Sequence, residues 1–201
     1  MTTLVFDPSA RRLDDGRVLL GGHPPRRLRF TPAGARMVDA WRAGEAVGDG
    51  AGARALAARL IDAGLAHPRP ALDVAALRDV AVVIPAHDRV DALAACLARV
   101  GACGELVVVD DGSRDPASVA AVVTERCQAT SSDHAPRIVR RERGGGPAAA
   151  RNAGVAATTA PLVAFLDSDT LPTPGWLAPL VAHFADPRVG AVAARVRVPA
   201  G

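Results

Sequence analysis

Residues 163–170 read Val163-Ala164-Phe165-Leu166-Asp167-Ser168-Asp169-Thr170. The apolar run has no helical spacing, which predicts a buried strand over residues 162–166. Two nearby prolines then end the regular structure. In an extended backbone, residues i and i+2 point the same way, so Asp167 and Asp169 are predicted to face one ligand. Paired carboxylates attract a hard divalent cation, which in turn attracts phosphate oxygens. A solvated strand-to-turn junction would carry similar residues, so both interpretations stay open here.

The composition is that of a folded protein rather than a disordered one. The chain has 201 residues, of which 49% are hydrophobic and 22% are charged. Such a balance allows one medium or two small domains with packed cores. The net charge of +3 comes mostly from scattered arginines, without a basic run, and aromatic residues for base stacking are few. Nucleic acid is therefore not an expected partner.

The cysteines and the apolar segments indicate a cytoplasmic protein. Cys96, Cys103 and Cys127 have no CxxC spacing and cannot all pair, which favours a reducing compartment. The N-terminus lacks the pattern of a signal peptide. No apolar stretch approaches the roughly 18 residues that a membrane span needs, so no membrane segment is expected.

The first part of the chain, residues 1–66, predicts a small α+β domain. A hairpin is expected over Arg12–Leu20, with Asp15-Gly16 at its turn, and a short strand over Arg27–Phe30. Helices are expected from Pro32, behind the N-cap Thr31, and over about 53–63. A few strands followed by two short helices favour a winged-helix-like module, and residues 67–78 are typical of a linker.

This first part resembles the PqqD-like peptide-binding domains. The resemblance rests on Leu28-Arg29-Phe30-Thr31-Pro32-Ala33-Gly34 and Leu60-Ile61-Asp62-Ala63-Gly64-Leu65. It implies that a peptide is captured by adding a strand to the edge of the hairpin. A winged-helix domain used only for packing or regulation is the alternative.

From residue 79 onward, apolar strands alternate with helices, which predicts a mostly parallel sheet covered on both faces. Strands are expected at 80–84, 106–109, 137–140, 162–166 and 189–198, and helices at 93–100, 117–127, 148–157 and 176–184. The strand at 137–140 is less apolar and is expected nearer an edge. The fold class is therefore α/β, with the parallel-sheet domain over residues 79–201.

Three polar clusters follow strands of this predicted sheet: Pro85–Arg89, Asp110–Asp115 and Asp167–Asp169. Ligands of open α/β sheets bind at the carboxyl ends of the strands, so the clusters predict one ligand site. Residues 144–154, a glycine run followed by a helix, offer free N–H groups toward an anionic ligand.

Four motifs in this part resemble the inverting glycosyltransferases of family 2, which have the GT-A fold. They are Val82–Asp88, Val107–Ser113, Pro147–Gly154 and Phe165–Asp169. Together with the PqqD-like front end, the arrangement is similar to the glycosyltransferases of the mycofactocin system. The resemblance implies transfer of a sugar, with glucose expected, from a UDP-sugar to a peptide-derived redox cofactor.

The same resemblance implies a role for each matching residue. Asp110 hydrogen-bonds the uracil, Pro85 and Asp88 flank that base, and Arg151 lies near the nucleotide. Asp167 faces the ribose or the metal, and Asp169 ligates Mg²⁺ or Mn²⁺. The fit of Asp111 is less specific, since it could instead stabilise the turn.

The catalytic base is the one part of the family's site without a matching residue. Inverting transfer needs a general base to take the proton of the acceptor hydroxyl, and in this family that carboxylate lies downstream of the aspartate pair. Residues 191–201 contain no Asp or Glu. We therefore expect the base beyond Gly201, and an N-terminal fragment with impaired turnover.

Two other functions remain open at this point. A nucleotide-dependent dehydrogenase is disfavoured because no glycine fingerprint follows the first strand of the sheet. A non-catalytic peptide-binding adaptor, in which the second domain is degenerate, is the alternative to the transferase.

Overall fold

The computed structural model describes residues 2–129 and 136–197. The chain forms two compact units. One contains the described residues up to Leu72 together with those from Ala182 onward, and the other is Asp73–Val181.

The first unit has two small antiparallel sheets. Its strands are β1 (Thr3–Phe6), β2 (Arg11–Leu13), β3 (Val18–Gly21), β4 (Arg26–Arg29) and β5 (Ala66–Arg69). Strands β2, β3 and β4 form one sheet, so the predicted hairpin and the short strand after it are present. Strand β1 pairs with β5, which lies across the start of the stretch expected to be a linker.

Two helices cover the core of this unit. Helix α1 (Pro32–Arg42) begins as predicted, because the Thr31 hydroxyl accepts a hydrogen bond from the Gly34 N–H and proline suits the first turn. Helix α2 spans Ala51–Asp62. Their apolar faces meet the strands in a buried cluster that includes Leu19, Val38, Trp41, Leu60 and Leu65.

The second unit is built on four parallel strands: β6 (Val80–Ala86), β7 (Glu105–Asp111), β8 (Arg137–Arg141) and β9 (Leu162–Phe165). Their order in the sheet is β8-β7-β6-β9, so β8 lies at an edge as expected. The helices of this unit are α3 (Val90–Leu97), α4 (Pro116–Ala129), α5 (Gly146–Ala156) and α6 (Leu177–Val181), with a short 3₁₀ turn at Ala75–Asp79. A second 3₁₀ turn, Ala182–Ala185, belongs to the first unit. The mixed α/β architecture with a parallel sheet is confirmed.

The two faces of this sheet bury different helices. Val82, Ile84 and Val108 pack in one cluster with residues of α3 and α4. Val83, Val107 and Val109, which alternate with them along the strands, pack against Ala150 of α5. Alternation therefore decides which side chains at the strand ends face α5.

Two predictions about the last part of the chain are wrong. Strand β9 is not buried: its residues are half-buried and Phe165 is 48% exposed, because among the described residues β9 pairs only with β6. Residues 189–197 form no strand, and the remaining residues, Val198 to Gly201, lie outside the described part of the chain. The helix expected over 176–184 is shorter, with α6 passing into a 3₁₀ turn.

The helices within residues 2–129 and 136–197 are short or carry many polar side chains. None of them combines the length and the apolar composition that crossing a bilayer requires.

Close packing of α5 on the sheet predicts that Gly154→Ala destabilises the second unit. A Cβ at residue 154 would lie 2.2 Å from Val83 Cγ1 and 3.2 Å from Val109 Cγ2. We expect a loss of about 1–3 kcal/mol in the free energy of unfolding, measured by urea denaturation. Relief of this clash requires α5 to move outward, and α5 carries Arg151.

Gly52→Ala is the matched control. Gly52 is also helical, within α2, and a Cβ there meets nothing within 4 Å. Helix propensity alone should make this change stabilising by about 0.5–1 kcal/mol. Equal effects of the two substitutions would contradict the packing argument.

Candidate active site

A cavity of about 610 Å³ lies at the carboxyl ends of β6, β7 and β9, beside the start of α5. Its wall contains Pro85, Asp111, Arg151, Asp167 and Asp169, which were predicted to lie together, and also His87 and Arg89. Asp88 and Asp110 are absent from this wall. The sheet therefore brings five of the seven predicted site residues to one cavity.

Each carboxylate of the Asp167–Asp169 pair is held by an arginine. Arg151 Nη2 lies 2.6 Å from Asp167 Oδ1, and Arg89 Nη1 lies 2.8 Å from Asp169 Oδ2. The two aspartates are 57% and 50% exposed, so their remaining oxygens can reach a ligand. They follow β9 in a turn, closed by the Thr170 N–H donating to the Asp167 carbonyl, rather than in extended backbone.

Asp110 is buried and makes its bonds inside the protein. Its carboxylate accepts hydrogen bonds from the Ser113 N–H at 3.0 Å and from Arg140 at 2.6 Å. Burial alone would raise its pKa, but the bonds from Ser113 and the Arg140 guanidinium outweigh that effect, so the pKa of Asp110 is lowered. The side chain is only 2% exposed, and in this geometry Asp110 supports the turn after β7. Its contact with a base stays a prediction.

Asp111 is the carboxylate of β7 that faces the cavity. It pairs with Arg141 and accepts hydrogen bonds from the N–H groups of Gly145, at 3.1 Å, and Gly146, at 2.7 Å. The amides expected to be free for an anionic ligand are therefore partly occupied by Asp111. Gly112, at φ +77°, permits the close approach, because a Cβ there would lie 2.5 Å from the Gly144 nitrogen.

Asp88 connects the loop after β6 to the loop after β7. Its N–H donates to Ser113 Oγ at 2.9 Å, and its carboxylate accepts from the Arg114 N–H at 2.7 Å. Asp88 has φ +59°, in the left-handed region that Asp tolerates better than most residues. It therefore positions the rim of the cavity without lining it.

The general base of the transfer reaction has no residue assigned to it in this cavity. None of the described residues, 2–129 and 136–197, was predicted to be that base. The carboxylates that do line the cavity, Asp111, Asp167 and Asp169, each have an arginine partner. The location of the base therefore stays a prediction.

The residues present fit a divalent ion that is shared with a ligand. Within the described residues, no group of three or more His, Cys, Asp or Glu side chains could hold a metal by itself. Two half-exposed carboxylates on one cavity do supply hard oxygen donors, and Mg²⁺ is commonly held by one or two carboxylates plus phosphate oxygens and water. Asp167 and Asp169 suit that kind of site.

Cys96 lies next to the Asp167–Asp169 pair, and its thiol is not activated as a nucleophile. It is fully buried, with Sγ 3.8 Å from the Asp167 carbonyl oxygen. Burial, with a smaller contribution from the carboxylates of Asp169 and Asp167, raises the pKa of the thiol to about 11. Cys96 and Cys103 are free thiols, as expected, and the side chain of Cys127 lies outside the described part.

Sequence reasoning gave no role to four residues that shape the site. Arg89 and His87 lie inside a quoted cluster, and His87 Nδ1 lies 2.9 Å from the Asp111 carbonyl oxygen. Arg140 and Arg141 end β8 in register with Asp110 and Asp111. A sequence signal for Arg140 and Arg141 was present: two adjacent aspartates end one strand, and two adjacent arginines end the next.

The sequence of this chain is similar to those of known glycosyltransferases. The family model for glycosyl transferase family 2 matches residues 81–201. Over 190 residues, which are 94% of this chain, the sequence is 40% identical to the pre-mycofactocin glycosyltransferase of Mycobacterium tuberculosis. Over 116 residues, or 56% of the chain, it is 37% identical to the succinoglycan biosynthesis protein ExoU of Rhizobium meliloti.

A solved structure agrees in fold. The mannosyltransferase PcManGT of Pyrobaculum calidifontis, in complex with GDP-Man and Mn²⁺, matches with a TM-score of 0.50 and 28% identity over 56% of this chain and 34% of that one. The present chain spans about a third of the length of these curated relatives, covering 38% of the first and 32% of ExoU.

The buried Asp110–Arg140 pair predicts a pH-dependent cost for Asp110→Asn. At pH 7 the variant should lose about 1–3 kcal/mol of unfolding free energy, because Arg140 keeps no charged partner at that position. The pKa of Asp110 is lowered in the folded state. Its stabilising contribution is therefore complete above the unfolded pKa of about 4 and is lost as the pH falls through the folded value.

Urea denaturation between pH 7 and pH 2.5 measures the difference in unfolding free energy between the wild type and Asp110→Asn. It should shrink as the pH falls below about 4. Exposed Asp91, in the first turn of α3 and away from the cavity, gives the control Asp91→Asn, for which we expect a change of about 0.5 kcal/mol or less. A gap for Asp110→Asn that is independent of pH would contradict the assigned ion pair.

Proposed function

The chain belongs to glycosyl transferase family 2, and on that premise we propose that its cavity binds the nucleoside diphosphate of a UDP-sugar. The observation that carries this proposal is the convergence of Asp111, Asp167 and Asp169 with Arg89 and Arg151 on one cavity of about 610 Å³. Carboxylates and guanidinium groups in one wall suit a ligand that has a diphosphate and a bound cation. A cavity of this size also suits a nucleotide.

The proposed roles follow from the positions of the side chains. Asp167 and Asp169 would hold Mg²⁺ or Mn²⁺, which when bound neutralises charge that grows on the leaving diphosphate. Arg151, whose Nε is buried without a hydrogen-bond partner among the described residues, holds Asp167 in place and presents positive charge to the ligand. Pro85 and Asp111, which line the cavity, would lie beside the base of the nucleotide, and Asp110 and Asp88 support the loops around the cavity.

The proposed reaction is inverting transfer of a sugar, with glucose expected, to a peptide-derived redox cofactor of the mycofactocin type. The 40% identity to the pre-mycofactocin glycosyltransferase over 94% of the chain supports this choice of acceptor. The alternative, a non-catalytic adaptor with a degenerate second domain, is not favoured, since that domain matches a family of transferases.

For the first unit we propose peptide capture by a PqqD-like domain. The support is the three-stranded sheet β2-β3-β4, in which β2 and β4 are the outer strands. Outer strands have backbone N–H and C=O groups that an extended peptide can pair with. The short, exposed strand β4 also carries three arginines, Arg26, Arg27 and Arg29.

Donor binding is expected to depend on a divalent cation and on Asp169. Calorimetric titration of the chain with UDP should show binding in Mn²⁺ and little binding in EDTA. Asp169→Asn should weaken UDP binding in Mn²⁺ by about 10-fold or more, because a neutral amide is a poor ligand for a hard cation.

Asp91→Asn is the matched control for this titration and should bind as the wild type does, because Asp91 does not line the cavity. Binding of UDP that is equally strong in EDTA and in the Asp169 variant would refute the metal assignment. Absence of UDP binding by the wild type under all conditions would refute the donor site itself.

Peptide capture is expected to be independent of the donor site. Fluorescence anisotropy with a labelled mycofactocin precursor peptide should show saturable binding to the whole chain. The same affinity is expected for Asp169→Asn, since the proposed strand addition uses only the first unit. Failure of the peptide to bind would remove the role proposed for this unit and leave the donor site untouched.

A further inference from the structure

The two arginines of the cavity hold their aspartates differently. Arg89 is 66% exposed and Asp169 is 50% exposed, so their pair lies in water. Arg151 is 35% exposed, has a buried Nε, and extends from α5, which packs on the sheet. An exposed ion pair contributes little to stability and exchanges partners easily. The Arg89–Asp169 pair is therefore the one that a ligand can open at low cost.

The Arg89 backbone is anchored, whereas its side chain is 66% exposed and bonded only to the exposed Asp169 among the contacts that the described residues show. The Arg89 N–H donates to the His87 carbonyl at 2.7 Å, and the Leu93 N–H donates to the Arg89 carbonyl at 3.0 Å at the start of α3. Its guanidinium lies in the same cavity wall as Asp169, and its hydrogen bond to that carboxylate joins residues 80 positions apart. A small rotation of the side chain thus redirects the charge within the cavity.

We propose that Arg89 is a positioning residue that exchanges Asp169 for the diphosphate when the cation binds. This inference rests on the proposed function of the cavity. Without ligand, Arg89 balances Asp169 and holds its carboxylate toward the cavity. A cation that takes the Asp169 oxygens removes the partner of Arg89, and the freed guanidinium then pairs with the diphosphate that arrives with the cation.

The exchange predicts effects of opposite sign on two equilibria. Without nucleotide, Arg89 competes with Mn²⁺ for Asp169, so Arg89→Gln should bind Mn²⁺ about 2- to 5-fold more tightly. With Mn²⁺ saturating, the same variant lacks one charged contact to the diphosphate and should bind UDP about 10-fold more weakly. A residue that only supports the fold would weaken both equilibria.

The test uses the whole chain. Free Mn²⁺ is measured by electron paramagnetic resonance, and UDP binding is measured by calorimetry at saturating Mn²⁺. Arg99→Gln is the matched control, since Arg99 is exposed, follows the far end of α3 from Arg89 in the same unit, and does not line the cavity. It should change each affinity by less than about twofold, because water and salt screen a distant charge.

Arg89→Lys distinguishes the effect of the positive charge at residue 89 from the effect of the planar guanidinium. Lysine keeps the positive charge but lacks the planar fork, so its UDP affinity should fall between those of the wild type and Arg89→Gln. Weakening of both equilibria in Arg89→Gln, or tighter Mn²⁺ binding of the same size in Arg99→Gln, would overturn the exchange. Loss of Mn²⁺-dependent UDP binding in the wild type would instead refute the proposed function on which it rests.

Discussion

Parallel pairing of β6 with strands on both sides is the constraint on which the cavity depends. Ala86 of β6 pairs with Asp110 of β7, and Val83 pairs with Phe165 of β9. The Leu166 N–H continues the second ladder to the Val83 carbonyl at 3.1 Å. Since parallel strands end at the same edge of a sheet, residues as far apart in the chain as Arg89 and Asp169, 80 positions, bring their charged side chains to one place.

Charge compensation explains how so many carboxylates can share that edge. Asp110, Asp111, Asp167 and Asp169 are each paired with a different arginine, two from β8 and one each from α5 and the loop after β6. The buried pairs stabilise the loops, because removing one partner leaves a charge out of water. The exposed pairs contribute little to stability and are free to serve a ligand. Burial therefore separates Asp110, which supports the cavity from outside its wall, from Asp167 and Asp169, whose exposed oxygens can bind a ligand within it.

The sequence predicted the sheet and the cavity because both follow from local patterns. Apolar runs such as Val107–Val109 identify strands, and parallel pairing then places the polar residues after them together. The pairing of β1 with β5 joins residues 60 to 66 positions apart, so no local sequence pattern predicts it. The exposure of Phe165 was missed for a related reason. An apolar run predicts a strand, but its burial depends on which neighbours the strand has.

The positions of Asp110 and Asp111 show where a further step from sequence was available. Adjacent residues of a strand face opposite sides, so only one of the two can face α5. Crossovers between parallel strands are right-handed. From β6 through β7 to β8 the chain moves one way across the sheet, which puts α3 and α4 on the same face; from β8 to β9 it returns, which puts α5 on the other. Asp111 shares the face of Val107 and Val109, so it meets the glycine loop that opens α5. Once the strand order is known, the two aspartates can therefore be told apart: Asp110 supports the turn, and Asp111 lines the cavity.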